Sequence, residues 1–190
     1  MPKYLVIDTE TTGLDPARNQ MIQLVAKSWN DLNPNRIDFN CMIEISTTFG
    51  LIEPAALKKN KTKLTTMFSD TQRSTESYAV RTFVDYINEN GPFDYLVGFN
   101  VQFDLAFIQR AFERSGVNFV GFLPYKVIDP FVLAQSMIAA SKLPAMRSTS
   151  LSSLCEHYSI EVPNTHHEAL TDVEMTFKLM QAMFKDLGRK

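Results

Sequence analysis

The chain has 190 residues, 45% of them hydrophobic and 21% charged, which is enough to bury one sizeable core and too apolar for a disordered segment. The formal net charge of −2 excludes a global basic field that would drive nonspecific nucleic-acid binding, yet it permits an acidic pocket whose local charge bound cations would reverse. No apolar run approaches the roughly 20 residues that span a bilayer, and Asp8 and Glu10 interrupt any leader-like stretch, so the chain reads as intracellular and cytoplasmic, with no membrane part.

In chain order, the first predicted element is a buried strand, Lys3-Tyr4-Leu5-Val6-Ile7, running straight into Asp8-Thr9-Glu10 and a glycine turn at Gly13. Met21 to Trp29 and Arg36 to Ile45 are apolar-rich and separated by turn residues, which predicts a hairpin or meander extending that strand. Leu51 to Phe68 is the least legible stretch: it mixes Pro54, a short helical segment and the lysine run Lys58 to Lys63, which reads as a solvated face or as a guide for phosphates. From Ser74 to Glu89, Tyr78, Val80, Phe83, Val84 and Ile87 recur at helical spacing until Gly91-Pro92. Tyr95 to Gly98 predicts a strand. Phe103, Phe107, Ile108, Ala111 and Phe112 then predict an amphipathic helix with Asp104 beside its apolar face.

Val127-Ile128-Asp129-Pro130 reads as a short strand closed by proline, with Asp129 a turn residue. Phe131 to Ala140 and Leu151 to Tyr158 read as helices joined by the Ser/Pro-rich Ser141 to Ser150. A last helix carries the stripe Leu170, Val173, Phe177, Met180, Phe184. Strands first, then alternating helices and strands, predict an α/β domain with a mixed sheet, and with no repeat or linker one domain over residues 1–190 is the economical reading. Cys41 and Cys155, far apart and unpaired in spacing, exclude a disulfide framework and read as buried apolar residues.

Three separated segments bear acids: Asp8-Thr9-Glu10, Phe103-Asp104, and His167 with Asp172. Residues two apart on a strand face the same side, so Asp8 and Glu10 point together if strand geometry persists through Thr9. Two such carboxylates in a partly buried place need a cation nearby, and hard oxygen ligands suit magnesium or manganese. Taken alone, Asp-x-Glu reads more readily as two solvated acids at a strand end leading into a loop.

The longer string changes the weight. Asp8-Thr9-Glu10-Thr11-Thr12-Gly13-Leu14, Gly98-Phe99-Asn100-Val101-Gln102-Phe103-Asp104 and His167-Glu168-Ala169-Leu170-Thr171-Asp172 resemble, in order, the three motifs of the DEDDh family of 3′→5′ exonucleases, in the ribonuclease H-like superfamily. The resemblance implies a mixed sheet flanked by helices and a metal-dependent 3′→5′ exonuclease that releases nucleoside 5′-monophosphates from a single-stranded 3′ end. It implies two Mg2+ or Mn2+ ions held by Asp8, Glu10, Asp104 and Asp172, with His167 as general base. It also implies substrate contacts at Thr11, Gly13, Leu14 (a wedge against the last base), Asn100 and Phe103; Phe103 equally reads as a core residue. Phe99 stands where many members have histidine. On one helix, residues five apart point about 140° from each other, so His167 is expected on the loop before the last helix or in its first turn, although Thr165 and Glu168 resemble a capping box that would start the helix earlier. His166 is expected at the surface and His157 in a structural role.

Proofreading of DNA beside a partner polymerase, RNA trimming or oligonucleotide degradation, and a noncatalytic nucleic-acid-binding module all remain open at this level. The complete set Asp8, Glu10, Asp104, His167 and Asp172 weighs against the last of these.

Overall fold

The computed structural model describes residues 2–29, 39–46, 51–59, 73–163 and 169–188. Strand β1 (Tyr4–Thr11) forms because an unbroken apolar run is buried on both faces, and it continues through both acids to Thr11. It pairs antiparallel with β2 (Met21–Trp29), which pairs antiparallel with β3 (Phe39–Met42). On its other side β1 pairs parallel with β4 (Tyr95–Val97), and β4 with β5 (Val127–Ile128), giving a mixed sheet in the order β3-β2-β1-β4-β5. Helices occupy the connections: α1 (Pro54–Lys59), α2 (Glu76–Asn90), α3 (Val101–Arg114), α4 (Pro130–Ala139), α5 (Leu151–His157) and α6 (Ala169–Asp186).

The period-2 alternation of β1 sorts its side chains between two cores. Leu5 and Ile7, with Met21, Leu24 and Leu96, pack under α2 and α3 through Phe83, Phe107 and Phe112. Tyr4 and Val6, with Val25, Trp29 and Val97, pack under α6 through Val173, Phe177 and Met180, and Trp29 stacks on Phe177 with centroids 3.8 Å apart. Lys27, also on this face and fully buried, reaches Glu174 of α6 at 3.0 Å and lies over the Trp29 ring. A third core joins α4 and α5 to the outer side of α6 through Met137, Leu154 and Leu179.

Most predicted elements appear where their patterns place them, with three differences. Tyr78 is 59% exposed, because the buried face of α2 is Ala79, Val80, Phe83, Tyr86 and Ile87. Cys41 is only half-buried, since β3 is an edge strand, whereas Cys155 is fully covered and burial pushes its thiol up to about 12. His157 ends α5 exposed, its ring meeting Tyr158 edge to face. Lys58 is exposed on α1; the lysine run from residue 60 onward lies outside the described residues, as do His166, His167 and the Thr165–Glu168 pair.

Candidate active site

The C-terminal ends of β1 and β4 open onto a cavity of about 470 Å³ lined by Asp8, Asp104 and Asp172 together with Thr9, Asn100 and Phe103. Each acid arrives on a different element. Asp8 is on β1 on the face that packs against α6, and Asp172 is in the first turn of α6, a helix seated by the Val173–Phe177–Met180 stripe and the Lys27–Glu174 pair. Asp104 comes from the opposite side of the sheet, in the first turn of α3. The close approach of α3 to the sheet requires glycine at the end of β4, because a Cβ on Gly98 would lie 2.6 Å from Val101 Cγ2 and 3.3 Å from the Ile7 carbonyl oxygen.

Asp104 is 3% exposed and its Oδ1 accepts two hydrogen bonds from Thr9, one from the backbone N–H at 2.9 Å and one from the hydroxyl at 2.7 Å. Burial pushes its carboxyl up to about 7; the two Thr9 bonds pull the other way, and the Asp129 charge adds to the rise. Thr9, which falls between the two acids of the first motif, is therefore the residue that orients the acid of the second. Alternation along β1 is the signal for it: the residue between Asp8 and Glu10 faces the other helix layer.

Asp129 does more than end a strand. Its Oδ1 accepts from the N–H of Phe131, capping α4 with Pro130 at the first helical position, and from the N–H of Asn100 at 3.0 Å; its Oδ2 accepts from the N–H of Val101 at 3.1 Å. One carboxylate thus ties the start of α3 to the start of α4 and holds Asn100 in its left-handed conformation at φ 57°. The Asp-Pro dipeptide marks the α4 cap in the sequence, but the bonds to Asn100 and Val101 span about 30 residues and carry no local signal. Asp129→Ala is expected to cost about 2–4 kcal/mol through three unsatisfied N–H groups, seen as a lower midpoint of thermal unfolding. An unchanged midpoint would mean that water replaces the carboxylate without loss.

The remaining motif residues divide. Asn100 and Phe103 line the cavity, and Phe103 also packs on Phe107 with centroids 4.9 Å apart, at the edge of the first core. Glu10 is 3% exposed on the same face of β1 as Asp8, just before the register shift after which Thr11 pairs with Met21, and it is not among the residues lining the cavity. Thr11, Gly13 and Leu14 also lie outside the lining. Thr11 Oγ1 donates to the Gly13 carbonyl at 2.7 Å. A Cβ on Gly13 would strike the side chains of Asn19 and Glu53, so close packing of this turn accounts for the glycine. Leu14 is 75% exposed on the same turn. Phe99, Phe131 and residues Ser148 to Leu151 complete the cavity; of these, the sequence singled out only Phe99.

Among the described residues, three carboxylates and no lysine or arginine line the cavity, a donor set that fits hard divalent ions. Among the described residues no three acidic, histidine or cysteine side chains stand together ready to hold one ion.

A family model for exonucleases, RNase T, matches residues 5–180. The chain belongs to the RNase T exonuclease family. It is thereby a DEDD-type 3′→5′ exonuclease domain of the ribonuclease H-like superfamily, as its three motifs led one to expect. Among curated relatives of this exonuclease domain, the DNA polymerase III PolC-type of Bacillus cereus is 27% identical over 190 residues, taking in 98% of this chain and 12% of that protein. The corresponding polymerase of Lacticaseibacillus paracasei is 29% identical over 188 residues, with the same shares. The chain therefore spans 12% of the length of these relatives. The fold is shared with E. coli exonuclease I: its zinc-bound complex with single-stranded DNA gives a TM-score of 0.78 at 20% identity, covering 100% of this chain and 42% of that one. The structure that suggests how exonuclease I achieves processivity gives 0.79 at 19% identity, with the same coverage. Among the described residues of this exonuclease domain no helix is long and apolar enough to cross a membrane.

Proposed function

We propose that this domain hydrolyses phosphodiester bonds from the 3′ end of single-stranded DNA, releasing nucleoside 5′-monophosphates, and that it edits the product of a partner polymerase. The observation that carries the reading is the convergence of Asp8, Asp104 and Asp172 from three distant segments on one cavity. The PolC-type relatives favour a polymerase partner and DNA over RNA.

Asp8, Glu10, Asp104 and Asp172 would hold two Mg2+ or Mn2+ ions. When bound, such ions neutralise charge on the phosphate and lower the pKa of attacking water. Asp104 enters this set by giving up its proton while Thr9 keeps its Oδ1 in place. His167 takes the proton of the attacking water, a role suited to a group with an ordinary pKa near neutrality. Asn100 and Phe103 contact the terminal nucleotide from the cavity wall, and Thr11, Gly13 and Leu14 meet it from the turn after β1.

The test uses matched 5′-labelled single-stranded DNA and RNA with magnesium or manganese, resolving products by length. A ladder shrinking from the 3′ end, faster on DNA, is expected; a faster RNA ladder would transfer the reading to RNA trimming. No cleavage of either would favour the noncatalytic module. In the same assay His167→Ala is expected to slow cleavage roughly 10²- to 10⁴-fold, the range for a general base. An unaffected rate at neutral pH would remove His167 from that role.

A further inference from the structure

One wall of the cavity is aromatic, and the cores account for only part of it. Phe131 on α4 is half-buried and, among the described residues, is part of none of the three apolar cores, yet it lines the cavity. Its ring meets that of Phe99 edge to face, with centroids 5.7 Å apart and planes at 65°. Phe99 is backed by the third core, which braces the pair from behind. A large apolar side chain that contributes to no core and faces a polar cavity is placed for a ligand with a flat apolar face.

Hydroxyl donors stand in the same wall. Thr149 Oγ1 accepts from Gln135 Nε2 at 2.8 Å and Ser148 Oγ accepts from the Ser150 N–H at 3.2 Å, so each hydroxyl keeps its own hydrogen to donate. A phosphodiester offers only acceptors, and among the described residues no lysine or arginine lines the cavity to meet it. A nucleobase offers a π-face whatever its identity.

We infer that Phe99 and Phe131 form a stacking subsite for an unpaired base of the bound strand, with Ser148 and Thr149 donating to an adjacent phosphate. The subsite rests on the exonuclease reading above and deepens it. It would favour single strands, because a base inside a duplex has both faces covered by its stacked neighbours, and it would make recognition independent of sequence.

The experiment measures steady-state kinetics on single-stranded DNA carrying one abasic unit at the first, second or third position from the 3′ end. Loss of one stacked base weakens binding by about 5- to 150-fold. Phe131→Ala is therefore expected to raise KM by that factor with kcat little changed, and Phe131→Trp to restore it. For the wild type, the abasic unit at one position raises KM similarly, and the same unit leaves the KM of Phe131→Ala unchanged. If every abasic position penalises Phe131→Ala as much as the wild type, or if kcat falls at constant KM, the subsite is overturned. Should the wild type cleave nothing, the exonuclease reading fails on its own, and the subsite is then judged by fluorescence of 2-aminopurine within the oligonucleotide. Quenching by the wild type but not by Phe131→Ala supports stacking; no quenching by the wild type overturns it.

Discussion

Asp172→Asn is expected to abolish 3′-end cleavage, by at least about 10³-fold, because on the proposed assignment it removes a charged ligand worth several kcal/mol of transition-state stabilisation. The fold should survive. Asn has the shape of Asp, and what seats α6 is not Asp172 but Val173, Phe177 and Met180 against the sheet with Glu174 paired to Lys27. The substitution also removes one of several like charges around one cavity, so the midpoint of thermal unfolding in the absence of divalent ions should stay level or rise. Far-ultraviolet circular dichroism with the 5′-labelled cleavage assay checks both halves. Full activity in this variant would end the metal-ligand assignment of Asp172.

The second large effect is in the pH dependence of the metal-free protein. Burial raises the Asp104 carboxyl from an ordinary value of 3.8 to about 7 in the folded state. Below about pH 4 the carboxyl is protonated whether the chain is folded or not, and it adds no pH dependence. Between about 4 and 7 the unfolded chain has released that proton and the folded protein still holds it, so stability falls as pH rises. Above about 7 both forms are ionised and the whole cost is present. This single group contributes a slope of up to about 1.4 kcal/mol per pH unit inside the window.

Asp104→Asn keeps an oxygen that accepts from Thr9 and removes the ionisation, so the variant should lose this slope and be the more stable protein at pH 8 without divalent ions. Divalent ions should reverse the order. At about 100 times its dissociation constant a bound ion adds about 2.7 kcal/mol to the wild type, and the variant, lacking the charge, gains less. Urea unfolding at pH 5 and pH 8, with and without magnesium, tests all of this; equal pH slopes for the two proteins would show that Asp104 ionises as readily folded as unfolded.

Much of the candidate site was legible because its chemistry is carried by residue type at strand and helix ends. Asp8 follows an apolar run that had to be a strand, Asp104 sits one residue after Phe103 on a helix whose period is plain, and Asp172 lies two positions after the first residue of the last core stripe. Thr9 was passed over because it faces away from the two acids that flank it, and only the packing of α3 shows what it meets. Phe131 was passed over because an aromatic at the start of an apolar helix looks like core until the cores are seen without it. Tyr78 failed for the converse reason: it fits a helical period, but the buried arc of α2 passes one residue to its side.

By itself the sequence determined the element types, the mixed α/β class and the acids available for chemistry, since periodicity and charge are local properties that survive without neighbours. Tertiary structure alone decided which of those acids share a cavity, that Thr9 and Asp129 set the geometry of α3, and that Phe99 and Phe131 form one wall. Each of these is a contact between segments far apart in the chain. Its energy depends on distance and burial, and neither quantity exists until the sheet and its helices have packed.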